Sequence, residues 1–397
     1  MFNSPGRAGS FVRQPTGYRA FLPQPLPPAD PPIEMTLART RLLSDATLAL
    51  GRLDGAAQLL PNPDLFVGMY VRREAVLSSQ IEGTQASLTD VLVFEVEEDG
   101  NEHPVDVVEV VNHIQAMNHG LERLPTFPLS LHLIKEIHGI LMKGASGQHR
   151  DPGEFRHTQN WIGPQGSTIT TATYVPPPPQ VLMDHLGDLE KFMYDESCPP
   201  LVRAGLVHAQ FETIHPFLDG NGRVGRLLVT FMLCREGVLH RPLLYLSYFL
   251  KRNRAEYYDR LQAVRVSGRW EEWLDFFLLG VAETATEAWG TAQAILELQR
   301  RHRELLQTAG RASPTLLRVH DLLWRHPVIT VPFLSRELQL TFAGANNVVR
   351  RLEGLGIVTE STGFQRNRRF AYADYLRLFE DGAAADRGND ARDAPAD

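Results

Sequence analysis

Apolar residues recur at helical spacing through most of the middle of this chain. From Ala204 to Ile214, and again from Val224 to Met232, they stand three or four positions apart. This spacing places side chains on one face of a helix, so it predicts two amphipathic helices in succession. A third helical stretch runs from about Trp270 to Leu306. The chain is therefore predicted to be mainly α-helical.

Three segments depart from this pattern. Residues 1–32 hold eight prolines, which exclude a helix and predict a disordered, extended lead-in. Residues 379–397 are acidic and rich in Ala and Gly, which predicts a disordered tail. Between Ser167 and Val175, threonine and β-branched residues precede the proline run 176–179. The composition of this third segment favours a short β-hairpin.

After residue 312 the pattern predicts a unit of another kind. Pro332 to Leu338 is predicted to form a short helix, and a second helix with one apolar and one polar face follows it. Ile357 to Thr362 and Arg369 to Tyr372 are predicted to pair as a hairpin. Together these elements resemble a winged helix-turn-helix domain over residues 312–378. The apolar face of the second helix holds Ala345, Val348, Val349 and Leu352, and its polar face holds Asn346, Asn347, Arg350 and Arg351.

Charge separates this unit from the rest of the chain. The 397 residues carry 47 acidic and 40 basic side chains, a net charge of −7, which does not suggest a chain that binds polyanions over its whole surface. From Arg300 to Tyr372, however, twelve arginines stand against five acids, and Arg366, Arg368 and Arg369 lie near the hairpin tip. This excess makes DNA a candidate partner. Protein contact or dimerisation, with solvated arginines, is the alternative.

The remaining composition narrows the class of protein. Two cysteines, Cys198 and Cys234, are too few for a disulfide scaffold or a cysteine-only zinc site. The longest apolar run, Leu227 to Cys234, is too short to span a bilayer. No signal peptide is visible. We therefore expect a cytoplasmic protein of two or three domains without a membrane partner.

The residues best suited to catalysis and anion binding lie in one segment between two predicted helices. This segment runs from His215 to Arg226 and reads HPFLDGNGRVGR. Gly220 and Gly222 leave the N–H groups of this loop unobstructed, and N–H groups at the start of a helix favour anions. Arg223 and Arg226 are three positions apart and therefore neighbours on the second helix. Two guanidinium groups beside an N–H cradle suit a polyphosphate better than a single carboxylate.

Two further side chains complete this segment. Asp219 offers oxygen ligands of the kind that Mg²⁺ uses together with substrate phosphates. His215, with an ordinary pKa near neutrality, is suited to accept a proton from an attacking hydroxyl. A base, a metal ligand, an anion cradle and two guanidinium groups predict a nucleotide-dependent transferase.

Two simpler interpretations compete with this one. Residues 220–225 satisfy the pattern GxGxxG of dinucleotide-binding proteins, but that fingerprint follows a strand, whereas a helix and His215-Pro216 precede it here. The other interpretation is a structural loop whose polar residues only cap helices. The combination of residue types argues against it.

The segment resembles the Fic motif, HPFx(D/E)GNGRxxR, at every specified position, and the resemblance extends from about Pro32 to Leu279. Fic proteins are mainly α-helical, and most characterised members transfer AMP from ATP to a protein Ser, Thr or Tyr hydroxyl. The resemblance implies that His215 is the general base and that Asp219 holds Mg²⁺. The residues implied to bind ATP and its phosphates are Gly220, Asn221, Gly222, Arg223, Val224, Gly225, Arg226 and Tyr257.

The segment ahead of the motif resembles the flap of the same family. Residues 153–163 look like the approach to the flap, and the hairpin itself is implied to hold the backbone of the target protein by β-augmentation. For Tyr257, which resembles a position near the adenine, an ordinary core tyrosine is the alternative. The implied flap residues are Thr171, Ala172, Thr173 and Tyr174.

A second motif, Ser78 to Gly83, resembles the inhibitory sequence (S/T)xxxE(G/N) of many Fic proteins, with Ser78, Glu82 and Gly83 at its specified positions. A carboxylate beside Arg226 would neutralise the guanidinium that the γ-phosphate needs. A shift of about 1 Å at a reacting centre can cost around a hundredfold in rate, so one ion pair is enough to inhibit. The alternative is a solvent-exposed glutamate at a helix end, followed by an ordinary C′ glycine.

We therefore predict a protein adenylyltransferase with a Fic-type helical bundle, a β-hairpin flap and a C-terminal winged helix. It would use ATP and Mg²⁺, be inhibited by Glu82, and act on an unidentified protein or on itself, with a second copy of the chain as a further candidate partner. Removal of AMP assisted by Glu82, transfer of another nucleotide, and a DNA-binding regulator that senses nucleotides are the alternatives. The predicted regions are 1–32 lead-in, 33–125 N-terminal helical region with the inhibitory helix, 126–285 catalytic core, 286–311 linker helix, 312–378 winged helix and 379–397 tail.

Overall fold

The fold is mainly α-helical, as the periodicity predicts, and the described residues also form two small antiparallel sheets. In the part of the chain that the structure describes, no helix is long and apolar enough to cross a bilayer. The computed structural model describes residues 6–59, 63–97, 104–144, 150–308, 314–364 and 366–380. The helices are α1 (Leu37–Leu59), α2 (Pro63–Ile81), α3 (Leu88–Phe94), α4 (Val105–Arg123), α5 (Leu131–Leu141), α6 (Pro179–Phe192), α7 (Pro200–Ile214), α8 (Asn221–Arg235), α9 (Ser247–Arg252), α10 (Arg254–Ser267), α11 (Trp270–Thr308), α12 (Pro314–Leu323), α13 (Val331–Glu337), α14 (Phe342–Gly354) and α15 (Ala373–Arg377). The strands are β1 (Gly9–Arg13), β2 (Arg19–Pro23), β3 (Val328–Thr330), β4 (Thr359–Glu360) and β5 (Arg369–Ala371).

Helix α7 lies at the centre of the large helical body. Every residue from Leu201 to Ile214 is buried, including charged and polar ones. Helix α8 packs against α7, and α5, α6, α10 and α11 surround the pair. A helix that is enclosed on all sides needs no polar face, which explains why apolar positions continue around α7. The loop between α7 and α8 is thereby held by two fixed helix ends.

The N-terminal segment is an ordered hairpin, so the prediction of a disordered lead-in over 1–32 is wrong for its described part. Strands β1 and β2 pair antiparallel, and Ala20 and Phe21 are buried. The Phe21 N–H also donates to the Val175 carbonyl at 2.9 Å. Prolines exclude a helix, but they tolerate turns and the ends of edge strands, which left the residues between them free to pair.

The region 286–311 was predicted as a linker helix, and its described part belongs instead to α11, a single helix of 39 residues. Ala288 and Ile295 are fully buried, and α11 packs along α1. The segment therefore contributes to the core. Helical spacing alone does not say whether an apolar stripe meets a neighbouring helix or a separate domain.

The predicted tail also begins too early. Phe379 is buried, with its ring 5.4 Å from the ring of Tyr70 on α2 in an edge-to-face arrangement. Phe379 therefore belongs to the folded body of the protein and not to a disordered tail. Residues 381–397 lie outside the described residues.

The C-terminal unit contains the two predicted helices, α13 and α14, and the predicted hairpin of β4 and β5, with Thr359 opposite Ala371. On α14, Ala345, Val349 and Leu352 are buried, as the periodicity predicts. Strand β3 was not predicted; it pairs with β5 and makes a three-stranded sheet of order β3-β5-β4. Three residues are too few to show a strand period.

Candidate active site

His215 lies just after the end of α7 in a left-handed backbone conformation, with φ of 50° and ψ of 61°. Its N–H donates to the Phe211 carbonyl at 2.9 Å and closes the last turn of the helix. Arg156 fixes the backbone that follows. Its Nε donates to the His215 carbonyl and its backbone N–H donates to the Pro216 carbonyl, both at 2.9 Å. These bonds fix a conformation that few residues adopt freely.

The loop after His215 is closed by Asn221 at the start of α8. The Asn221 side chain accepts from the Phe217 N–H and donates to the Phe217 carbonyl, both at 2.8 Å. Gly220 has φ of 74°, a value that favours glycine, and its N–H donates to Asp219 Oδ1 at 2.6 Å. The predicted anion cradle is therefore a tight turn leading into the N-terminus of a helix.

His138 on α5 supports this loop and was not predicted. Its ring stacks on Phe217 with 3.7 Å between ring centroids. The Gly153 N–H donates to Nδ1, which leaves Nε2–H to donate to the Asp219 carbonyl at 3.1 Å. Burial lowers the pKa of His138 to about 4, so the ring is neutral at pH 7. Only tertiary packing brings it here, and no local sequence signal marks it.

Arg226 is buried in the first part of α8 and binds the second motif directly. Its Nη2 donates to Glu82 Oε1 at 2.6 Å and to the Ser78 carbonyl at 2.9 Å, and its Nε donates to Ser78 Oγ at 2.8 Å. The structure therefore brings together the two motifs that the sequence singled out, although they are well over a hundred residues apart.

The Glu82 carboxylate lies against the predicted anion cradle. A Cβ atom at Gly222 would collide with its Oε1, so a side chain there would displace the carboxylate. Glu82 follows the last residue of α2, and Gly83 has φ of 110°, which ends the helix in a conformation that favours glycine. The Glu82 side chain remains 35% exposed. Its carboxylate thus occupies space beside the cradle and contacts Arg226.

Arg223 contacts other residues than Arg226 does. Its Nη1 lies 3.4 Å from Glu109 Oε2 on α4, and its Nη2 lies 3.9 Å from Asp219 Oδ1. The guanidinium is buried, so these two carboxylates supply the charge that it needs. Glu109 is a second residue of the site that the sequence did not reveal, because α4 reaches α8 only in the folded chain.

The imidazole of His215 is kept neutral. Burial lowers its pKa to about 3, and the nearby guanidinium groups of Arg265 and Arg156 act in the same direction. Its Nδ1 lies 4.0 Å from Glu212 Oε2, and burial raises the pKa of that carboxyl to about 7. A neutral ring is the state that a general base requires before it takes a proton.

Asp219 is suited to hold a metal ion only with help from phosphates. Its side chain is 46% exposed, and within the described residues no group of three or more His, Cys, Asp or Glu side chains forms a metal cluster. Mg²⁺ commonly binds through one or two carboxylates, substrate phosphates and water, so a lone carboxylate beside an anion cradle fits it.

The predicted hairpin over 167–175 is wrong in its extent. A single antiparallel bridge joins Ile162 and Tyr174, with N···O distances of 2.8 and 3.0 Å, and the intervening described residues form turns. The Thr168 N–H donates to Thr171 Oγ1 at 2.9 Å. Such side-chain hydroxyls compete with the ladder of a hairpin.

The implied flap residues differ in exposure. Tyr174 is buried, and its hydroxyl donates to the Thr213 carbonyl at 2.6 Å, so it anchors the segment. Thr171 and Thr173 are exposed, and Ala172 is half-buried. The exposed part of the segment faces solvent while its base is fixed to α7.

Tyr257 on α10 lies in the core. It is 1% exposed, and its hydroxyl is 2.8 Å from His208 Nε2. His208 Nδ1 lies 2.9 Å from the Gly225 carbonyl, so the pair supports the backbone of α8 from behind. This is the environment of a core tyrosine, and contact with adenine stays a prediction.

Two segments of the chain match known protein domains, and several known proteins are similar to it. Residues 40–122 match the domain described as Fic/DOC family N-terminal, and residues 128–233 match the Fic/DOC family domain. The chain is 32% identical over 146 residues to protein adenylyltransferase fic-1 of Caenorhabditis briggsae, which covers 34% of this chain and 26% of that protein. It is 37% identical over 120 residues to protein adenylyltransferase Fic of Drosophila willistoni, which covers 29% and 21%. The matched region is about a quarter of the length of these relatives.

The fold has a counterpart among solved structures. A Fic family protein from Desulfovibrio desulfuricans G20 superposes with a TM-score of 0.55 at 19% identity, over 86% of this chain and 98% of that one. This likeness concerns the fold. The two matched domains and the complete motif from His215 to Arg226 lead to one conclusion: within residues 40–233, the chain carries the N-terminal and Fic domains of the Fic family.

Proposed function

We propose that this protein transfers AMP from ATP to a Ser, Thr or Tyr hydroxyl of a protein. The observation that carries the proposal is the arrangement around the loop between α7 and α8. A neutral His215 lies at the start of this loop, and two buried arginines follow the loop on α8. The names of the matched relatives, protein adenylyltransferase, support the same activity.

The proposed reaction is an in-line displacement at the α-phosphorus of ATP. His215 takes the proton of the target hydroxyl, whose oxygen forms a bond to that phosphorus while the bond to the bridging oxygen breaks. Pyrophosphate leaves with its charge held by Arg223 and Arg226, and the cradle N–H groups bind the charge that develops on the α-phosphate. Mg²⁺ held by Asp219 would supply further neutralisation of phosphate charge. General-base catalysis typically contributes ~10²–10⁴-fold to a rate.

We further propose that Glu82 inhibits this reaction. The support is the 2.6 Å ion pair between Glu82 and Arg226, which uses the guanidinium proposed to hold the distal phosphates. The carboxylate also lies beside Gly222, so its charge would repel a phosphate at the cradle. ATP bound under these conditions would have its phosphates displaced from the in-line arrangement. Directing a water that removes AMP would be a second role of Glu82 with the same geometry.

The C-terminal unit is proposed to be a winged helix-turn-helix domain. The order of its elements supports this proposal, because α12, β3, α13, α14, β4 and β5 follow one another and the sheet has the order β3-β5-β4. In this arrangement α14 would be the recognition helix, and the connection between β4 and β5 would be the wing.

Intact-mass measurement of the Glu82→Gly protein tests the activity. The protein is incubated with Mg²⁺ and each nucleoside triphosphate in turn, with and without cell lysate, and His215→Ala in the same background is the control. Addition of one adenylyl group with ATP alone, absent in the control, supports the proposal. Labelling by another nucleotide would assign a different transfer. Absence of labelling with every nucleotide, on the protein and in lysate, would overturn the transferase and favour a nucleotide sensor.

Loss of AMP distinguishes the remaining alternative. A protein first labelled by the Glu82→Gly variant is incubated with excess wild-type chain, Mg²⁺ and no ATP. Removal of AMP by wild type, and not by Glu82→Gly or Glu82→Gln, would assign a hydrolytic role to Glu82. A stable label would restrict Glu82 to inhibition.

A further inference from the structure

The arginines of the C-terminal unit fall into two groups. Residues 314–380 contain nine arginines. Three of them form ion pairs and are thereby neutralised locally. Within the described part of the chain, no ion pair joins the other six to a carboxylate, and four of these lie on α14 and the connection between β4 and β5. The paired arginines are Arg336 with Glu337, Arg369 with Glu97 and Arg377 with Asp374. The unpaired ones are Arg318, Arg325, Arg350, Arg351, Arg366 and Arg368.

The four clustered arginines belong to one surface. Arg350 and Arg351 are exposed on the side of α14 opposite its buried residues, and Arg366 is exposed in the β4–β5 connection. Arg368 joins the two elements, because its Nη2 donates to Asn346 Oδ1 on α14 at 3.1 Å. These four arginines and the exposed Asn347 are called the basic face below. Its residues are Asn347, Arg350, Arg351, Arg366 and Arg368.

Among the residues that the structure describes, none covers the basic face, because the unit is attached by other sides. Arg369 of β5 forms an ion pair with Glu97 near α3. The Tyr372 hydroxyl bonds to His302 Nδ1 of α11 at 2.8 Å, and Phe379 packs on α2. None of these contacts involves a residue of the basic face. The surface is thus available to a partner without any rearrangement of the unit.

The chemistry of the basic face favours a nucleic acid over a protein. All five of its side chains are polar or charged, whereas a typical protein interface combines arginine with an apolar or aromatic centre, and the exposed Phe342 and Phe364 lie outside these five residues. A helix fits the major groove of B-DNA, where Arg contacts guanine and Asn contacts adenine. The N-terminus of α14 is also exposed at Thr341 to Ala343, where helix N–H groups favour phosphate.

We propose that the basic face binds double-stranded DNA, with α14 in the major groove and the β4–β5 connection against a flanking phosphate backbone. This inference does not depend on nucleotide transfer, because the basic face shares no residue with the site at His215. The His215→Ala substitution should therefore abolish nucleotide transfer and leave DNA binding unchanged.

Fluorescence anisotropy of labelled duplexes of mixed sequence, titrated with the full chain at several salt concentrations, tests the proposal. Arg350→Glu with Arg351→Glu is the test variant. Arg318→Glu with Arg325→Glu is its matched control, because it makes the same charge change at exposed, unpaired arginines off the basic face. Thermal unfolding of both variants checks that each is folded.

We expect salt-dependent binding by wild type and by the control, and binding at least tenfold weaker in the test variant. With Arg366→Ala, the slope of log K against log salt should become shallower by about one, because this arginine of the β4–β5 connection no longer neutralises a phosphate. Equal weakening in the two charge-reversal variants, or no binding by wild type, would overturn the proposal. A dimer of the wild-type chain that only the test variant abolishes, without DNA binding, would assign the face to protein contact.

Discussion

At the scale of single residues, the position of Arg226 explains why an inhibitory contact is suited to this site. A buried guanidinium is costly without partners, and Arg226 has three acceptor contacts, two from Ser78 and one from Glu82. If Glu82 leaves, the Ser78 contacts remain while one side of the guanidinium becomes free. A phosphate can then replace the carboxylate without leaving the arginine unpaired.

Glu82→Gln separates the charge of this contact from its shape. The amide oxygen can still accept from the charged Arg226, but the Coulomb attraction between two opposite charges is lost. We expect the rate of AMP transfer by this variant to lie between those of wild type and Glu82→Gly, measured with radiolabelled ATP. A rate equal to that of wild type would show that the charge of Glu82 is irrelevant.

Glu74, on the same helix as Ser78, gives a pH-dependent prediction. It is buried, accepts from the Ser247 N–H at 3.0 Å and from the Ser247 hydroxyl, and burial raises its pKa from the ordinary 4.5 to about 7. Because the raised pKa favours the protonated form in the folded state, the stability from Glu74 is complete below pH 4.5 and is lost as pH rises to about 7.

Glu74→Gln removes this loss. The free energy of unfolding of the variant minus that of wild type should therefore increase between pH 4.5 and about 7, by at most about 1.4 kcal/mol per pH unit, and level off above. Urea unfolding at a series of pH values measures it. A difference that stays constant, or that decreases with pH, would contradict the assignment.

Residues inside the motifs could be predicted from the sequence, and their supports could not. Glu82 and Arg226 were paired through the resemblance of two short segments to motifs of Fic proteins. His138 and Glu109 hold the loop and Arg223 from α5 and α4, and neither stands in a pattern that differs from an ordinary helix. Their roles arise from helix packing, which the sequence does not record locally.

At the scale of secondary-structure elements, the N-terminal hairpin is the main departure from the sequence prediction. Phe21 is 1% exposed, its ring lies 5.0 Å from that of Phe11, and its N–H bonds to the segment that precedes α6. The hairpin therefore packs on the base of the flap. Proline content predicted the absence of a helix correctly, but strands of only five residues have too weak a period to detect.

Phe21→Ala tests whether this hairpin stabilises the body of the protein. Removing a buried phenylalanine typically costs about 3–5 kcal/mol, and we expect a loss of that size in the free energy of unfolding measured in urea. Val12→Ala, at a residue that is 39% exposed on the partner strand, is the control and should cost much less. Similar values for the two variants would mean that the hairpin does not contribute as its burial suggests.

At the scale of the whole molecule, the C-terminal unit is attached close to α2, the helix that carries Ser78 and leads to Glu82. Phe379 packs on Tyr70 of α2, and Arg72 of the same helix forms an ion pair with Glu95 at 2.7 Å. His326, from the connection after α12, lies 3.7 Å from the same Glu95. Contacts made by this unit thus reach the N-terminal half of the helix whose C-terminal end leads to Glu82.

The C-terminal unit differs in charge from the chain as a whole. The chain has a net charge of −7, although its C-terminal unit is basic. Ion pairs of that unit neutralise part of its positive charge. Composition identified the excess of arginine, but only the folded structure distinguishes the arginines that are paired from those that remain open. The basic face could therefore be suspected from the sequence and not delimited by it.

The central claim is that one ion pair restrains a complete nucleotidyl-transfer site, and the initial rate of AMP transfer tests it most directly. Wild type, Glu82→Gly and the double variant with His215→Ala are compared at the same concentrations of Mg²⁺ and radiolabelled ATP. Displacement of the phosphates by about 1 Å can cost around a hundredfold, so Glu82→Gly should exceed wild type by about that factor. The double variant should show no transfer. Equal rates for wild type and Glu82→Gly, both abolished by His215→Ala, would contradict the inhibitory role of Glu82.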